Sequence, residues 1–180
     1  MRRSWILACA AVVFALRSGA VDAWGSAVNG VTMAVAITSG PASEIRITVR
    51  NAGDQPLLLP VGALIGSRFY GLRFQVVVSV PGGKERRATY AGGPGIVGGR
   101  LDPLVVPLVP SASYTVQIPL ARFVILDQPE KLETLILKRC QMRVELDVRN
   151  ATCPLYGYPN PNMLPCWQGK VVSNILQLPN

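Results

Sequence analysis

The sequence predicts an all-β chain folded as an antiparallel sandwich. Three observations carry that prediction. Apolar residues recur with a period of two in one segment after another, no segment after residue 23 sustains a 3.6-residue period, and Gly, Pro and Asn clusters fall between the segments.

Val31 to Ile37 is the first strand candidate. Ile45, Ile47 and Val49 then alternate with Arg46, Thr48 and Arg50, the pattern of a strand with one dry and one wet face, and Asn51-Ala52-Gly53-Asp54 ends it. Leu57 to Leu59 is a short candidate. Phe74, Val76, Val78 and Val80 alternate with Gln75, Val77 and Ser79, and Pro81-Gly82-Gly83 joins this strand to Lys84 to Tyr90 as a hairpin. Gly92-Gly93-Pro94-Gly95 and Gly98-Gly99 form a connection to Leu104 to Leu108, without a phosphate-binding glycine signature. Tyr114, Val116 and Ile118 alternate with Thr115 and Gln117. Gln128 to Leu135 is the nearest approach to a helical turn. Met142, Val144, Leu146 and Val148 alternate with Arg143, Glu145, Asp147 and Arg149, and Val171 to Leu178 is the last candidate. Short strands at this spacing point to a sandwich of immunoglobulin-like type, with a small β-barrel as the alternative. No repeat or linker divides residues 24–180, which read as a single β-sandwich domain.

The first 23 residues read as a secretory signal peptide. Arg2 and Arg3 form a basic start, Trp5 to Leu16 an apolar run, and Ala20 and Ala23 offer cleavage positions, Ala23 preferred. The apolar run is too short to span a bilayer, which needs about 20 residues. Cys9 belongs to that run rather than to a lipoprotein cleavage box, because the run continues past it. The expected location is exported, periplasmic or extracellular, with no membrane insertion of the mature chain.

Composition excludes several chemistries. The chain has no His, so Ser-His-Asp and Cys-His catalysis and HExxH zinc sites are impossible. Loss of Arg2, Arg3, Arg17 and Asp22 with the signal peptide would lower the formal charge from +8 to +6. The cations are scattered rather than massed in a stripe, which argues against nucleic acid and for loose attraction to anionic envelope surfaces. Glu145 and Asp147 share a strand face and could mimic an acid/base pair, but Arg143 and Arg149 share it too, and an alternating row of opposite charges on a wet strand is the simpler reading.

Cys140, Cys153 and Cys166 remain beyond the signal peptide. Cys153 and Cys166 bracket the Pro/Asn-rich segment PLYGYPNPNMLP, and a disulfide between them would tie down an irregular loop, leaving Cys140 as a thiol near a strand end. Cys140–Cys153 and Cys140–Cys166 are the other pairings. A copper site using two cysteines and Met163 is a minor alternative, and no cofactor is expected. Tyr156, Tyr158, Asn160, Asn162 and Trp167 lie in or beside the loop and form a candidate binding surface for sugar or peptide; the competing reading packs Trp167 into the core. Asn150-Ala151-Thr152 fits a glycosylation sequon in a host that glycosylates.

Several motifs carry a resemblance. The opening Trp24-Gly25-Ser26-Ala27-Val28-Asn29-Gly30-Val31, the corner Asn51-Ala52-Gly53-Asp54-Gln55-Pro56-Leu57, the segment Leu101-Asp102-Pro103-Leu104 to Tyr114 and the ending Trp167-Gln168-Gly169-Lys170-Val171-Val172-Ser173-Asn174 resemble small secreted bacterial immunoglobulin-like modules. The resemblance implies a sandwich and an exported location, and no reaction. The chain departs from it at Lys138-Arg139-Cys140-Gln141, where such modules often have a Pro-Gly turn, and in the cysteine loop. The functional expectation is a non-enzymatic interaction or structural accessory module of the cell envelope, whose partner is a protein or an envelope glycan. The alternative is an inhibitor of an extracytoplasmic protease acting through the 154–165 loop.

Overall fold

The computed structural model describes residues 23–38, 43–65, 68–91, 101–126, 132, 134, 140–149 and 164–178. These carry strands β1 (Val31–Thr38), β2 (Glu44–Asn51), β3 (Leu57–Ile65), β4 (Arg68–Leu72), β5 (Phe74–Ser79), β6 (Arg86–Tyr90), β7 (Leu101–Leu108), β8 (Ser113–Pro119), β9 (Phe123–Ile125), β10 (Cys140–Asp147), β11 (Lys170–Val172) and β12 (Leu176–Leu178), with a 3-10 turn, Leu120–Arg122, before β9.

The ladders are antiparallel and form three sheets: β1-β2-β8, a main sheet β11-β10-β5-β6-β9 with β12 also on β10, and β4-β3-β7. They do not close into a barrel, so the expected antiparallel sandwich forms and the barrel alternative falls. All three sheets feed one core. Val31, Met33, Ile45, Ile47 and Val116 come from the first; Phe74, Val76, Phe123, Met142 and Val144 from the main sheet; and Leu57, Leu59, Val61 and Leu108 from the third.

Alternation sets the faces. In β2, Ile45, Ile47 and Val49 are fully buried while Arg46 and Arg50 are exposed. In β10, Cys140, Met142, Val144 and Leu146 point inward, as their parity requires. Tyr90 and Phe123 meet edge-to-face across the β6–β9 ladder, centroids 6.3 Å apart. The Pro81-Gly82-Gly83 turn joins β5 to β6, with Gly82 at φ +73° and the Gly83 N–H donating to the Val80 carbonyl at 2.9 Å.

Some elements differ from the sequence reading. β3 continues past Leu59 to Ile65 through an irregularity at Val61, where the Arg73 N–H donates to the Val61 carbonyl at 2.9 Å. β7 starts at Leu101 and tolerates Pro103 and Pro107 because it is an edge strand. The last candidate strand splits in two. Ser173 stays on β10, exchanging bonds with Val144 through its backbone and hydroxyl, whereas the Asn174 amide turns to β1. There it accepts from the Val35 N–H at 2.7 Å and donates to the Val35 carbonyl at 3.2 Å, closing part of an otherwise open strand edge. Of Gln128 to Leu135, only Leu132 and Thr134 are described, and Leu132 is fully buried.

Candidate functional site

The segments that carry the sequence resemblance meet at one corner. Gly30, at φ +77°, lies so close to Gly53 that a Cβ on it would stand 3.2 Å from the Gly53 Cα. Its carbonyl accepts from the Ala52 and Gly53 N–H groups at 2.6 and 3.0 Å. Asn51 is fully buried. Its amide donates to the carbonyls of Gln55 and Leu108 at 2.8 and 3.0 Å, and its oxygen accepts from the Gly53 N–H at 3.0 Å. The Trp167 indole N–H donates to the Val28 and Asn29 carbonyls, both at 3.2 Å, and Gly169 lets the ring pass where a Cβ would come within 2.8 Å of it. A cleft of about 460 Å³ opens here, lined by residues that include Asn29, Asp54, Gln55 and Gln168. Among the described residues no buried side-chain polar atom is unpaired, so the buried part of this corner is scaffold whose hydrogen bonds close internally.

This corrects one candidate. Trp167 is only 4% exposed, so it is packed as a core residue and shows no more than a sliver of its surface to the cleft. Tyr156, Tyr158, Asn160, Asn162 and Cys153 lie outside the described residues. The C-terminal end of their loop is firmly seated: the Leu58 N–H donates to the Pro165 carbonyl and the Trp167 N–H to the Leu58 carbonyl, both at 2.8 Å. Cys166 is disulfide-bonded, and Cys140 is a free thiol, 2% exposed, whose pKa is pushed up by burial.

The second constellation is the outer face of the main sheet. Pairing places Gln75 of β5 between Thr89 of β6 and Glu145 of β10, and Val77 between Arg87 and Arg143. Both arginines flank Val77, which is 1% exposed in consequence. Glu145 is the hub, a correction to its reading as part of a wet row: only 5% of it is exposed. Its Oε2 accepts from Lys170 Nζ at 2.9 Å and Arg87 Nη1 at 3.0 Å, and its Oε1 from Arg143 Nη2 at 3.2 Å. Arg87 Nη1 also donates to Gln75 at 2.6 Å, and Arg143 forks onto Glu85 at 2.7 and 3.1 Å. Asp147 pairs separately with Arg149 at 2.6 Å.

The electrostatics follow from these contacts. Burial pushes the Glu145 carboxyl up, but Lys170 and Arg87 outweigh it, and the net pKa falls below the ordinary carboxylate value. Hydrogen bonding and charge from Arg143 lower Glu85, and Arg149 lowers Asp147. A general acid at neutral pH needs a carboxyl shifted the other way. These three are held ionised, as anchors for cations. Beside the hub lies a polar pocket of about 230 Å³, lined by Arg73, Gln75, Arg87, Thr89, Glu145 and Lys170 among others.

Arg143 could be read beside Glu145 from the strand alternation, but Arg87 and Lys170 were not singled out as its partners. The Pro-Gly-Gly hairpin alone would have set Arg87 opposite Val77, but nothing in the sequence says that β10 is the next strand over. No protein-family model matches the chain, and neither a curated protein nor a solved structure matches it.

Proposed function

We propose that this chain is an exported, non-enzymatic interaction module that works through the outer face of its main sheet. The observation that carries the reading is Glu145. Burying a carboxylate costs desolvation that an apolar residue would avoid. What the carboxylate supplies in return is three cationic heads, from Arg87, Arg143 and Lys170, held at 2.9–3.2 Å from fixed oxygens on a rigid sheet. Pre-positioned charge of this kind suits recognition, because less side-chain freedom is lost when a partner arrives. The disulfide at Cys166 supports an oxidising, extracytoplasmic location, as does the signal-like sequence of residues 1–23. We assign the bridge to Cys153–Cys166.

The test is capture from envelope extract with the exported chain as bait, run beside Arg73→Glu on the main sheet face and Arg50→Glu on the opposite sheet. The reading expects a partner that Arg73→Glu loses and Arg50→Glu keeps. A partner indifferent to both substitutions would remove the face from the account.

The protease-inhibitor reading keeps one supporting observation, the clamped and disulfide-bonded base of the 154–165 loop at Pro165-Cys166-Trp167. Inhibition that survives Arg73→Glu and is lost on changing Tyr156 or Leu164 would favour it.

A further inference from the structure

We infer that the main sheet's outer face binds a linear polycarboxylate glycan, one carboxylate seating in the Arg73–Arg87–Lys170 pocket. The inference deepens the interaction reading above and rests on it.

Charge complementarity is the first argument. Arg73, Arg87, Arg143, Arg149 and Lys170 lie on or beside this face against Glu85, Glu145 and Asp147, an excess of two positive charges. The excess is available for bonding. Arg73 is exposed and makes no side-chain bond among the described residues. Arg87 commits only Nη1, to Gln75 and Glu145, and its side chain is 43% exposed, leaving Nε and Nη2 of the fork. Lys170 commits one of three donors. Arg87 and Lys170 converge on the same oxygen, Glu145 Oε2, so their heads stand together at one point of the pocket. Gln75 and Thr89 line that pocket with an amide and a hydroxyl, groups that pair with sugar hydroxyls.

Charge density selects the polymer. Glu85, Glu145 and Asp147 stay ionised among the cations, so a ligand must thread its charges between them. Widely spaced carboxylates, one per sugar, can do that. The phosphates of duplex DNA, one charge per about 1.7 Å of axis, cannot. The face is open and crosses four strands from β6 to β11, about 14 Å, which calls for an extended chain rather than a single sugar.

The experiment uses the full exported chain and oligomers of polygalacturonate, with neutral dextran and polyphosphate of similar length as comparators. Binding to polygalacturonate should weaken as salt rises. Arg73→Gln should reduce affinity about three- to fivefold, the scale of one exposed charge contact. Arg87→Lys, which keeps a charge beside Glu145 but removes the fork, should also weaken it. Arg50→Gln should not, and melting temperatures should show that all three variants fold. No binding to polygalacturonate, equal losses from Arg50→Gln, or tighter binding to polyphosphate would each overturn the inference. Envelope capture that depends on Arg73 without polygalacturonate binding would leave the face reading standing and the glycan wrong. Loss of both would sink the two together.

Discussion

Glu145→Gln isolates the charge at the hub while nearly keeping its shape. The side chain is 6% exposed and its cationic partners, Arg87, Arg143 and Lys170, are 43%, 23% and 34% exposed. Breaking a fully buried ion pair costs about 3–5 kcal/mol. Here the partners keep part of their hydration, and the glutamine still accepts one hydrogen bond, so about 2 kcal/mol is the reasonable magnitude. For a domain of this size that lowers Tm by about 4–8 °C. The sign of the pH dependence follows from the depressed folded pKa of Glu145. Its contribution is present above the unfolded value of about 4.3 and is lost as pH falls through the folded value. Melting curves of both proteins at pH 7 and in a series down to strongly acid pH should therefore show a gap that closes below about pH 4. Glu85→Gln, whose side chain is half exposed, should give a much smaller gap. A gap that persists unchanged in acid, or a variant that melts higher than the parent at pH 7, would refute the hub.

Four other outcomes follow from the packing and the bridge. Ile47→Asp places a carboxylate where the side chain is fully buried and should cost more than about 4 kcal/mol, whereas Thr48→Asp, on the outer face beside Thr115, should stay near 1 kcal/mol in urea titrations. Asn51→Ala removes three hydrogen bonds at the corner and should cost about 2–4 kcal/mol, read by the same titrations. Cys166→Ser should cost about 2–3 kcal/mol through the lost bridge. Cys140→Ser should cost about 1–3 kcal/mol, because the free thiol sits in the apolar core, and Cys140→Ala should cost less; unreduced peptide mapping must find Cys140 unlinked.

What the sequence made legible was whatever depends on local period. The parity of Ile45-Ile47-Val49 and of Met142-Val144-Leu146, the Pro-Gly-Gly hairpin and the Asn-Ala-Gly-Asp corner all follow from residues a few positions apart. Features that depend on which strand lies beside which were hidden. Glu145 looks like one member of an alternating surface row until β5, β6 and β11 bring Arg87 and Lys170 over it. Ser173 and Asn174 read as a continuing strand, yet the side-chain amide of Asn174 serves the edge of β1 instead. Trp167 sat beside a Pro/Asn-rich loop and looked available for binding, and only the approach of Val28 and Asn29 shows where its N–H is used.

The central claim is that one sheet face meets the partner. Amide chemical shifts of the isotope-labelled chain, recorded while the captured envelope partner is titrated in, test it residue by residue. The account predicts shifts concentrated at Arg73, Gln75, Arg87, Thr89, Arg143 and Lys170, with Arg46, Thr48 and Arg50 on the opposite sheet silent. Shifts concentrated at residues 154–165, with Gln75 and Thr89 unmoved, would contradict it.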